Sequence, residues 1–168
     1  MTFDQAFERL IGHEGAFQNN PQDRGNWTTG KIGVGDLKGT KYGISAMSYP
    51  GEDIQNLTLE RSRTIYRRDF WGPAGCDVVP EQVKFALFDA AVHAGKSAAI
   101  KMLQRALGVA DDGIIGPITM QAISSAHPYR LAMRFHGHRL DHLNNNPEQW
   151  ALFGRGWAQR IAENLMEA

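Results

Sequence analysis

Apolar residues recur at helical spacing along most of this chain, and capping signals divide them into short segments. Near the N-terminus, Phe3 and Phe7 fall on one helical face. Thr2 and Gln5 fit a capping box, in which each side chain accepts a hydrogen bond from the backbone N–H of the other residue. Gly12 is a stop signal. The pattern therefore predicts a first helix that ends just before residue 13.

Residues 15–45 form a different kind of segment, rich in glycine and poor in apolar residues. Seven glycines fall within it. The pairs Lys31–Ile32 and Lys41–Tyr42 are suited to small strands between the glycines. Long irregular segments of compact domains are often functional, and Trp27 gives this one an aromatic side chain to pack. We therefore expect an ordered functional loop with a small β element near residues 31–45.

From residue 58 to the C-terminus the pattern is helical again. Threonine or proline begins most of the predicted helices, and glycine ends most of them. The start signals are Thr58, Pro80, Pro117 and Pro128, the stop signals are Gly72, Gly95 and Gly108, and the last helix is predicted to begin after Gly156. The sequence thus predicts a mainly α fold built from short helices.

The composition is that of a globular protein, with 42% hydrophobic and 21% charged residues. Lys and Arg together number 18, as do Asp and Glu, so we expect no nucleic-acid partner. No apolar stretch approaches the about 18 residues that a membrane span needs. Asp4 and Glu8 among the first residues argue against a cleavable signal peptide. We therefore expect the protein to be made in the cytoplasm.

Neither a cofactor nor a metal is implied by the sequence. The single cysteine, Cys76, excludes an internal disulfide and a cysteine-based zinc site, and we interpret it as a small buried residue. His138 and His142 share a helical face, but His136 points roughly 160° away from His138. Zinc needs three or four converging ligands. The glycine-rich loop also lacks the motifs that bind phosphate.

Two carboxylates in unlike surroundings suggest acid–base chemistry. Glu14 follows the first helix and precedes Phe17, and partly apolar, desolvated surroundings raise the pKa of a carboxyl group. Asp23 lies nine residues later in a polar turn, where a carboxylate stays ionised. Cleavage of a glycosidic bond uses such a pair, namely a proton donor at the leaving oxygen and a carboxylate that activates water. By itself, however, the pair is a feature of many proteins.

Three motifs follow one another in this half of the chain. They are His-Glu-Gly-Ala-Phe at 13–17, the turn residues Asn19, Pro21, Asp23 and Gly25, and Thr-Lys-Tyr-Gly-Ile-Ser at 40–45. Together they resemble glycoside hydrolase family 108, whose members are N-acetylmuramidases of the lysozyme-like superfamily, common as phage endolysins. The resemblance implies a lysozyme-like fold, with short helices around a substrate cleft. Ala16, Phe17, Asn20, Arg24 and Asn26 depart from the family pattern.

The resemblance also implies roles for individual residues. Glu14 falls on the catalytic glutamate of the family. Asp23 and Thr40 are implied to position the attacking water, because the Glu-to-Asp spacing is similar to that of phage lysozymes. An apparent insertion between the turn and the threonine motif leaves Thr28 or Thr29 as alternatives to Thr40. The expected substrate-binding residues are Asn20, Tyr42 and His93, and for His93 a hydrogen-bonded position in the core is an equal alternative.

Motifs in the second half carry the resemblance further. They are Phe-Asp-Ala-Ala-Val-His-Ala-Gly at 88–95, a glutamine, glycine and threonine pattern within 103–119, and a C-terminal signature within 153–160. The last two resemble the peptidoglycan-binding segment that follows the catalytic one. We therefore expect a catalytic segment over 1–95 and a helical peptidoglycan-binding segment over 96–168, packed into the same globular unit. We interpret Asp89 as a structural hydrogen-bonding residue.

The implied function is hydrolysis of the β-1,4 bond between N-acetylmuramic acid and N-acetylglucosamine in bacterial peptidoglycan, by a monomer. Two alternatives remain, a lytic transglycosylase that forms 1,6-anhydro products and a non-enzymatic protein that binds the cell wall. Since no signal peptide is evident, the protein is expected to be made in the host cytoplasm. It would reach peptidoglycan in the periplasm or cell wall through a separate membrane-permeabilising protein, a holin.

Overall fold

The computed structural model describes residues 1–12, 16–145 and 147–166. Within this part of the chain the fold is mainly α, as predicted. The helices are α1 (Phe3–Ile11), α2 (Leu59–Tyr66), α3 (Glu81–Ala94), α4 (Lys96–Leu107), α5 (Pro117–Ser125), α6 (Pro128–Asn144) and α7 (Pro147–Met166). A short 3₁₀ helix spans Arg24–Asn26, and a π-helical stretch, Arg67–Trp71, continues α2. No described helix has the length and hydropathy to cross a membrane.

The predicted capping signals operate as the sequence indicates. Thr2 Oγ1 accepts a hydrogen bond from the Gln5 backbone N–H at 3.3 Å, and Gln5 Oε1 accepts one from the Thr2 N–H at 2.8 Å. Thr58 caps α2 in the same way, accepting from the Arg61 N–H at 3.1 Å. At the other end of a helix, Gly108 closes α4 with a φ of 77°, a conformation that glycine adopts without strain. These helix boundaries are confirmed.

The β element is smaller than predicted and lies at one end of the expected region. Strands β1 (Thr40–Lys41) and β2 (Ile44–Ser45) pair antiparallel, with Thr40 opposite Ser45. The prediction of a strand at Lys31–Ile32 is wrong, because these residues lie in turns. The Val34 N–H donates to the Lys31 carbonyl at 3.1 Å, which closes a tight loop there.

The chain divides into two compact units, Thr2–Arg67 and Arg68–Ala168 together with Met1. In the first unit, α1 buries Phe3, Ala6 and Phe7, and the Phe7 ring packs edge-on against Tyr66 with centroids 5.5 Å apart. The catalytic and binding segments predicted over 1–95 and 96–168 are assignments of function, which these units do not test.

In the second unit, α3 is the central helix. It is buried along most of its length and packs against α4 and α6, while α6 also packs against α7. Cys76 is buried in this unit, as expected.

The last helix is longer than predicted, because α7 begins at Pro147 and continues through both Gly154 and Gly156. The ring of Trp150 lies against Gly154, where an added Cβ would approach Trp150 Cδ2 to 2.7 Å. Glycine at this position therefore makes room for the aromatic ring and does not end the helix.

Candidate functional site

The predicted acid, Glu14, lies outside the described residues, so its role stays a prediction. The structure describes the chain up to Gly12, which ends α1 with a φ of 51° and donates its N–H to the Glu8 carbonyl at 3.0 Å. The description resumes at Ala16. The described part of the candidate site consists of residues that follow Glu14 in the chain.

Asn26 is the centre of a hydrogen-bond network in the first unit. Its side chain is fully buried, and its Nδ2 donates to Gln18 Oε1 at 2.7 Å and to the Asn20 carbonyl at 3.0 Å. Its Oδ1 accepts from Thr40 Oγ1 at 2.7 Å and from Gln18 Nε2 at 3.1 Å. An asparagine amide has two donor hydrogens and two acceptor lone pairs, so all of its hydrogen-bonding capacity is used.

The backbone around Asn26 reinforces the same arrangement. The Asn26 carbonyl accepts from the N–H groups of Lys38 and Gly39, at 3.0 and 3.1 Å. Gln18 and Thr40 exchange two backbone hydrogen bonds, of 3.0 and 2.8 Å. The turn at residues 18–26 is thereby held against β1.

Asp23 is oriented by this network but remains exposed. It caps the 3₁₀ helix, with Oδ1 accepting from the Gly25 N–H at 2.8 Å, and its Oδ2 accepts from Gln18 Nε2 at 3.2 Å. The carboxylate keeps lone pairs for a solvent molecule, since each oxygen has two. It can therefore hold a water molecule in a defined direction.

The structure places the three candidate threonines in different settings. The Thr40 hydroxyl donates to Asn26 and so belongs to the network that also orients Asp23. Thr28 Oγ1 accepts from the Asp36 N–H at 3.0 Å, and the Thr29 hydroxyl donates to the Val34 carbonyl at 2.6 Å. Thr28 and Thr29 thus stabilise the loop between Trp27 and Leu37, and only Thr40 of the three shares hydrogen-bond partners with Asp23.

Of the predicted substrate-binding residues, Asn20 belongs to this network through its carbonyl, and Tyr42 follows β1 in the chain. The Asn20 Oδ1 accepts from the Gln22 N–H at 3.0 Å, a local turn contact that leaves its amide N–H groups for other partners. Tyr42 forms the turn between β1 and β2, with a φ of 50° that is unusual for a residue other than glycine. The Tyr66 hydroxyl holds this turn by donating to the Tyr42 carbonyl at 3.1 Å.

His93, the third predicted binding residue, lies in the second unit, at the end of α3. It lines a cavity of about 380 Å³ together with His142, Asn145, Gln149 and Trp157. The His93 and Trp157 rings meet edge-to-face, with centroids 5.5 Å apart. Burial, followed by the positive charges of nearby arginines, keeps the pKa of His93 below its usual value. The neutral imidazole, with one donor and one acceptor nitrogen, is therefore the form present at neutral pH.

One helical turn before His93, Asp89 forms a buried ion cluster. Its carboxylate accepts hydrogen bonds from Arg139 on α6 at 2.5 Å, from Arg160 Nε on α7 at 2.8 Å and from Asn164 at 3.1 Å. Burial alone raises the pKa of a carboxyl group, but the two guanidinium groups outweigh it and lower the pKa of Asp89. Asp89 thus has the structural role that the sequence indicated, since it ties α3 to α6 and α7.

Sequence reasoning missed Gln18 and Asn26, which hold the candidate site together. Both are polar residues in a turn-rich segment, where the sequence favours solvated side chains. The helical spacing of Trp150 and Trp157 was likewise more typical of core residues, yet both rings are only half-buried. They cluster with Phe153, and its centroid lies 5.8 Å from that of Trp157.

Comparisons with known proteins cover nearly the whole chain. A family model described as glycosyl hydrolase 108 matches residues 7–95, and one described as a predicted peptidoglycan domain matches residues 98–162. Among solved structures, SagA of Brucella abortus is 28% identical, with a TM-score of 0.80 over 98% of this chain and 92% of that one. No curated protein matches. The structural likeness confirms the expected lysozyme-like fold class.

Proposed function

Because the chain belongs to the glycosyl hydrolase 108 family, we propose that it cleaves the β-1,4 bond between N-acetylmuramic acid and N-acetylglucosamine. The family makes it a glycoside hydrolase, and the peptidoglycan domain beside it identifies the substrate class as peptidoglycan. The matched segment includes Glu14, Asp23 and Thr40. The proposal concerns the bond that is cut and the residues that cut it.

In this mechanism, Glu14 protonates the glycosidic oxygen as the bond to the leaving sugar breaks. A water molecule held by Asp23 and Thr40 attacks the anomeric carbon from the opposite face of the sugar, and the Asp23 carboxylate takes the proton that this water releases. The observation that carries the assignment of Asp23 and Thr40 is their shared attachment to the hydrogen-bonded pair of buried Asn26 and exposed Gln18. A fixed pair of oxygens lowers the entropic cost of positioning the water.

Substrate contacts are assigned to Asn20, Tyr42 and His93. The amide group of Asn20 and the neutral imidazole of His93 each suit the hydroxyl and N-acetyl groups of sugars, which donate and accept hydrogen bonds. The half-buried side chain of Tyr42 offers an aromatic ring for contact with a sugar ring. Both kinds of contact are typical of sites that bind small polar ligands.

The decisive test is Glu14→Gln, which keeps the size of the side chain and removes the acid. We expect hydrolysis of purified sacculi to fall by about a hundredfold or more, the usual contribution of general acid catalysis. Asp23→Asn should also lower kcat, whereas Asp36→Asn, on the exposed loop after Thr28, is a matched control expected to retain the wild-type rate. An unchanged rate in Glu14→Gln would remove this residue from the mechanism.

The products distinguish hydrolysis from the two alternatives. Hydrolysis leaves reducing N-acetylmuramic acid ends, which mass spectrometry of digested sacculi detects. Products ending in 1,6-anhydro-muramic acid would make the protein a lytic transglycosylase, and no products at all would make it a wall-binding protein.

Its route to the wall belongs to the same proposal. We expect the protein made in the cytoplasm to lyse cells only together with a separate membrane-permeabilising protein, such as a holin. Lysis after expression of this chain alone would contradict that route.

A further inference from the structure

A second cavity, of about 400 Å³, lies between α4, α5 and α6, entirely within the segment that matches the peptidoglycan domain. Buried Ala106 and Leu131 give it an apolar interior. Exposed polar residues, Ser125, His127, Arg130 and Arg134, form its mouth. None of the described residues that line it is acidic. Its lining shares no residue with the cavity at His93.

Arg130 and Arg134 differ from most other arginines of the protein. Arg61, Arg105 and Arg139, for example, each pair with a carboxylate of the chain. Within the described part of the chain, neither Arg130 nor Arg134 has such a partner. Arg134 makes only a long contact, 3.5 Å, with the Arg105 carbonyl.

The two guanidinium groups are also placed to act together. Arg130 and Arg134 are one turn apart on α6, so their side chains project from the same face of the helix. Guanidinium groups bind carboxylates through two parallel N–H donors. Two such groups at the mouth of an apolar cavity therefore suit a small ligand with a methyl-sized apolar part and a free carboxylate.

We propose that this cavity binds the carboxylate end of the peptide stem of peptidoglycan. The inference rests on the proposed substrate. In that polymer the N-acetylated sugars of the glycan are neutral, whereas the stem peptides carry alanine methyl groups and free carboxylates. The apolar interior accepts the methyl groups, and Arg130 and Arg134 bind the carboxylate. The volume lies in the range of small-ligand sites.

The first experiment compares ligands by calorimetry with the full chain. The ligands are a disaccharide–tetrapeptide with a free C-terminal carboxylate, the same compound amidated at that carboxylate, and inorganic phosphate. The disaccharide is N-acetylglucosaminyl-β-1,4-N-acetylmuramic acid. Its one glycosidic bond starts from C1 of N-acetylglucosamine, so it lacks the bond from C1 of N-acetylmuramic acid that the enzyme is proposed to cut. We expect the free acid to bind about tenfold more tightly than the amide, in line with the strength of charge-assisted hydrogen bonds. Equal affinity for acid and amide, or phosphate binding as tight as that of the acid, would overturn the proposal.

The second experiment identifies the arginines. The double variant Arg130→Gln, Arg134→Gln should lose the preference for the free acid, whereas Arg155→Gln, at an exposed arginine on α7, should keep it. Replacing both arginines by lysine retains the positive charge but not the paired N–H donors. We therefore expect the lysine variant to prefer the free acid more than the glutamine variant does, but less than the wild type. Full recovery with lysine, or an unchanged preference in the glutamine variant, would contradict a fitted carboxylate site.

Hydrolysis provides an independent readout. The Arg130 and Arg134 variants should cut peptide-free glycan strands at the wild-type rate, because these residues lie outside the segment that matches the hydrolase family. Loss of activity in Glu14→Gln tests the proposed reaction, and loss of the acid preference in the arginine variants tests this cavity. The two proposals can therefore fail separately.

Discussion

At the scale of single residues, one buried asparagine organises the candidate site. Asn26 joins a turn, a 3₁₀ helix and a strand through four side-chain hydrogen bonds. A buried network is strong when every member is satisfied and costly when one is lost. The geometry of Asp23 and Thr40 therefore depends on a residue that needs no contact with the substrate.

The variant Asn26→Ala tests this dependence. It removes two hydrogen bonds of the Gln18 amide, which keeps its bond to Asp23, and it removes the acceptor of the Thr40 hydroxyl. We expect a loss of about 1–3 kcal/mol in the free energy of unfolding. In the folded fraction, kcat should fall because Asp23 and Thr40 lose their fixed orientation. Urea unfolding and hydrolysis of sacculi at the same temperature measure both effects.

Asn56→Ala is the control for this variant. Asn56 is exposed, and its side-chain amide donates to Asp53, at 2.9 Å, and to no other described residue. We expect little change in either quantity. If Asn26→Ala retained the kcat of this control, the network would be structural only.

The candidate site could be predicted only in part. Motif resemblance indicated Asp23, Thr40 and Asn20, and the structure joins them in one network. Nothing in the sequence distinguished Asn26 from the other polar residues of the turn, because burial of a polar side chain depends on contacts between distant segments. Which of Thr28, Thr29 and Thr40 shares hydrogen-bond partners with Asp23 likewise depends on contacts between distant segments.

At the scale of elements, local signals predicted the helices well where the cap is a local interaction. The capping box at Thr2 and the glycine that ends α4 act within a few residues, so the helix ends that they determine can be predicted from the sequence. The predicted start of the last helix, after Gly156, was wrong, because α7 continues through Gly154, where the Trp150 ring uses the space left by the missing side chain. Local signals also failed at Lys31–Ile32, since paired strands need a partner that the sequence does not identify.

The contact between α3, α6 and α7 depends on the buried carboxylate of Asp89. Asp89→Asn would leave the guanidinium of Arg139, which is 2% exposed, without its counter-charge. Breaking a buried ion pair on one side typically costs about 3–5 kcal/mol, and we expect a loss of that size in urea unfolding. Asp111→Asn, which breaks the exposed pair with Arg105, should leave the free energy of unfolding nearly unchanged, because solvent screens such a pair. Similar losses in both variants would contradict the central role of Asp89.

At the scale of the whole molecule, a buried histidine links stability to pH. His136 on α6 is 2% exposed, and neither ring nitrogen has a hydrogen-bond partner among the described residues. Burial, and then the charge of Arg139, lower the pKa of His136 from 6.5 to about 4, against a smaller opposing effect of Asp89. The folded protein therefore holds a neutral imidazole well below neutral pH.

The sign of the effect follows from proton binding. Between pH 6.5 and about 4, the unfolded chain protonates this histidine and the folded protein does not. The free energy of unfolding therefore decreases as the pH falls through this window, by up to ~3 kcal/mol. The lowered pKa of Asp89 also stabilises the folded protein, and this stabilisation is lost only below the ordinary aspartate pKa of 3.8.

We expect His136→Leu to show a smaller decrease in the free energy of unfolding between pH 6.5 and 4, as measured by urea unfolding at several pH values. His138→Leu, at a partly exposed position on the same helix, should retain it.

As the pH falls below neutral, the rate of the folded enzyme should therefore rise while the free energy of unfolding decreases. The proposed role of Glu14 requires its protonated form, which a lower pH favours, while the protonation of His136 favours the unfolded chain. The rate per folded molecule should consequently keep rising below the pH at which total activity begins to fall. In His136→Leu the fall in total activity should move to lower pH with the rate per folded molecule unchanged. If the fall in total activity at low pH occurred at the same pH in His136→Leu as in the wild type, then the titration of a group in the active site, and not the stability of the fold, would limit activity at low pH.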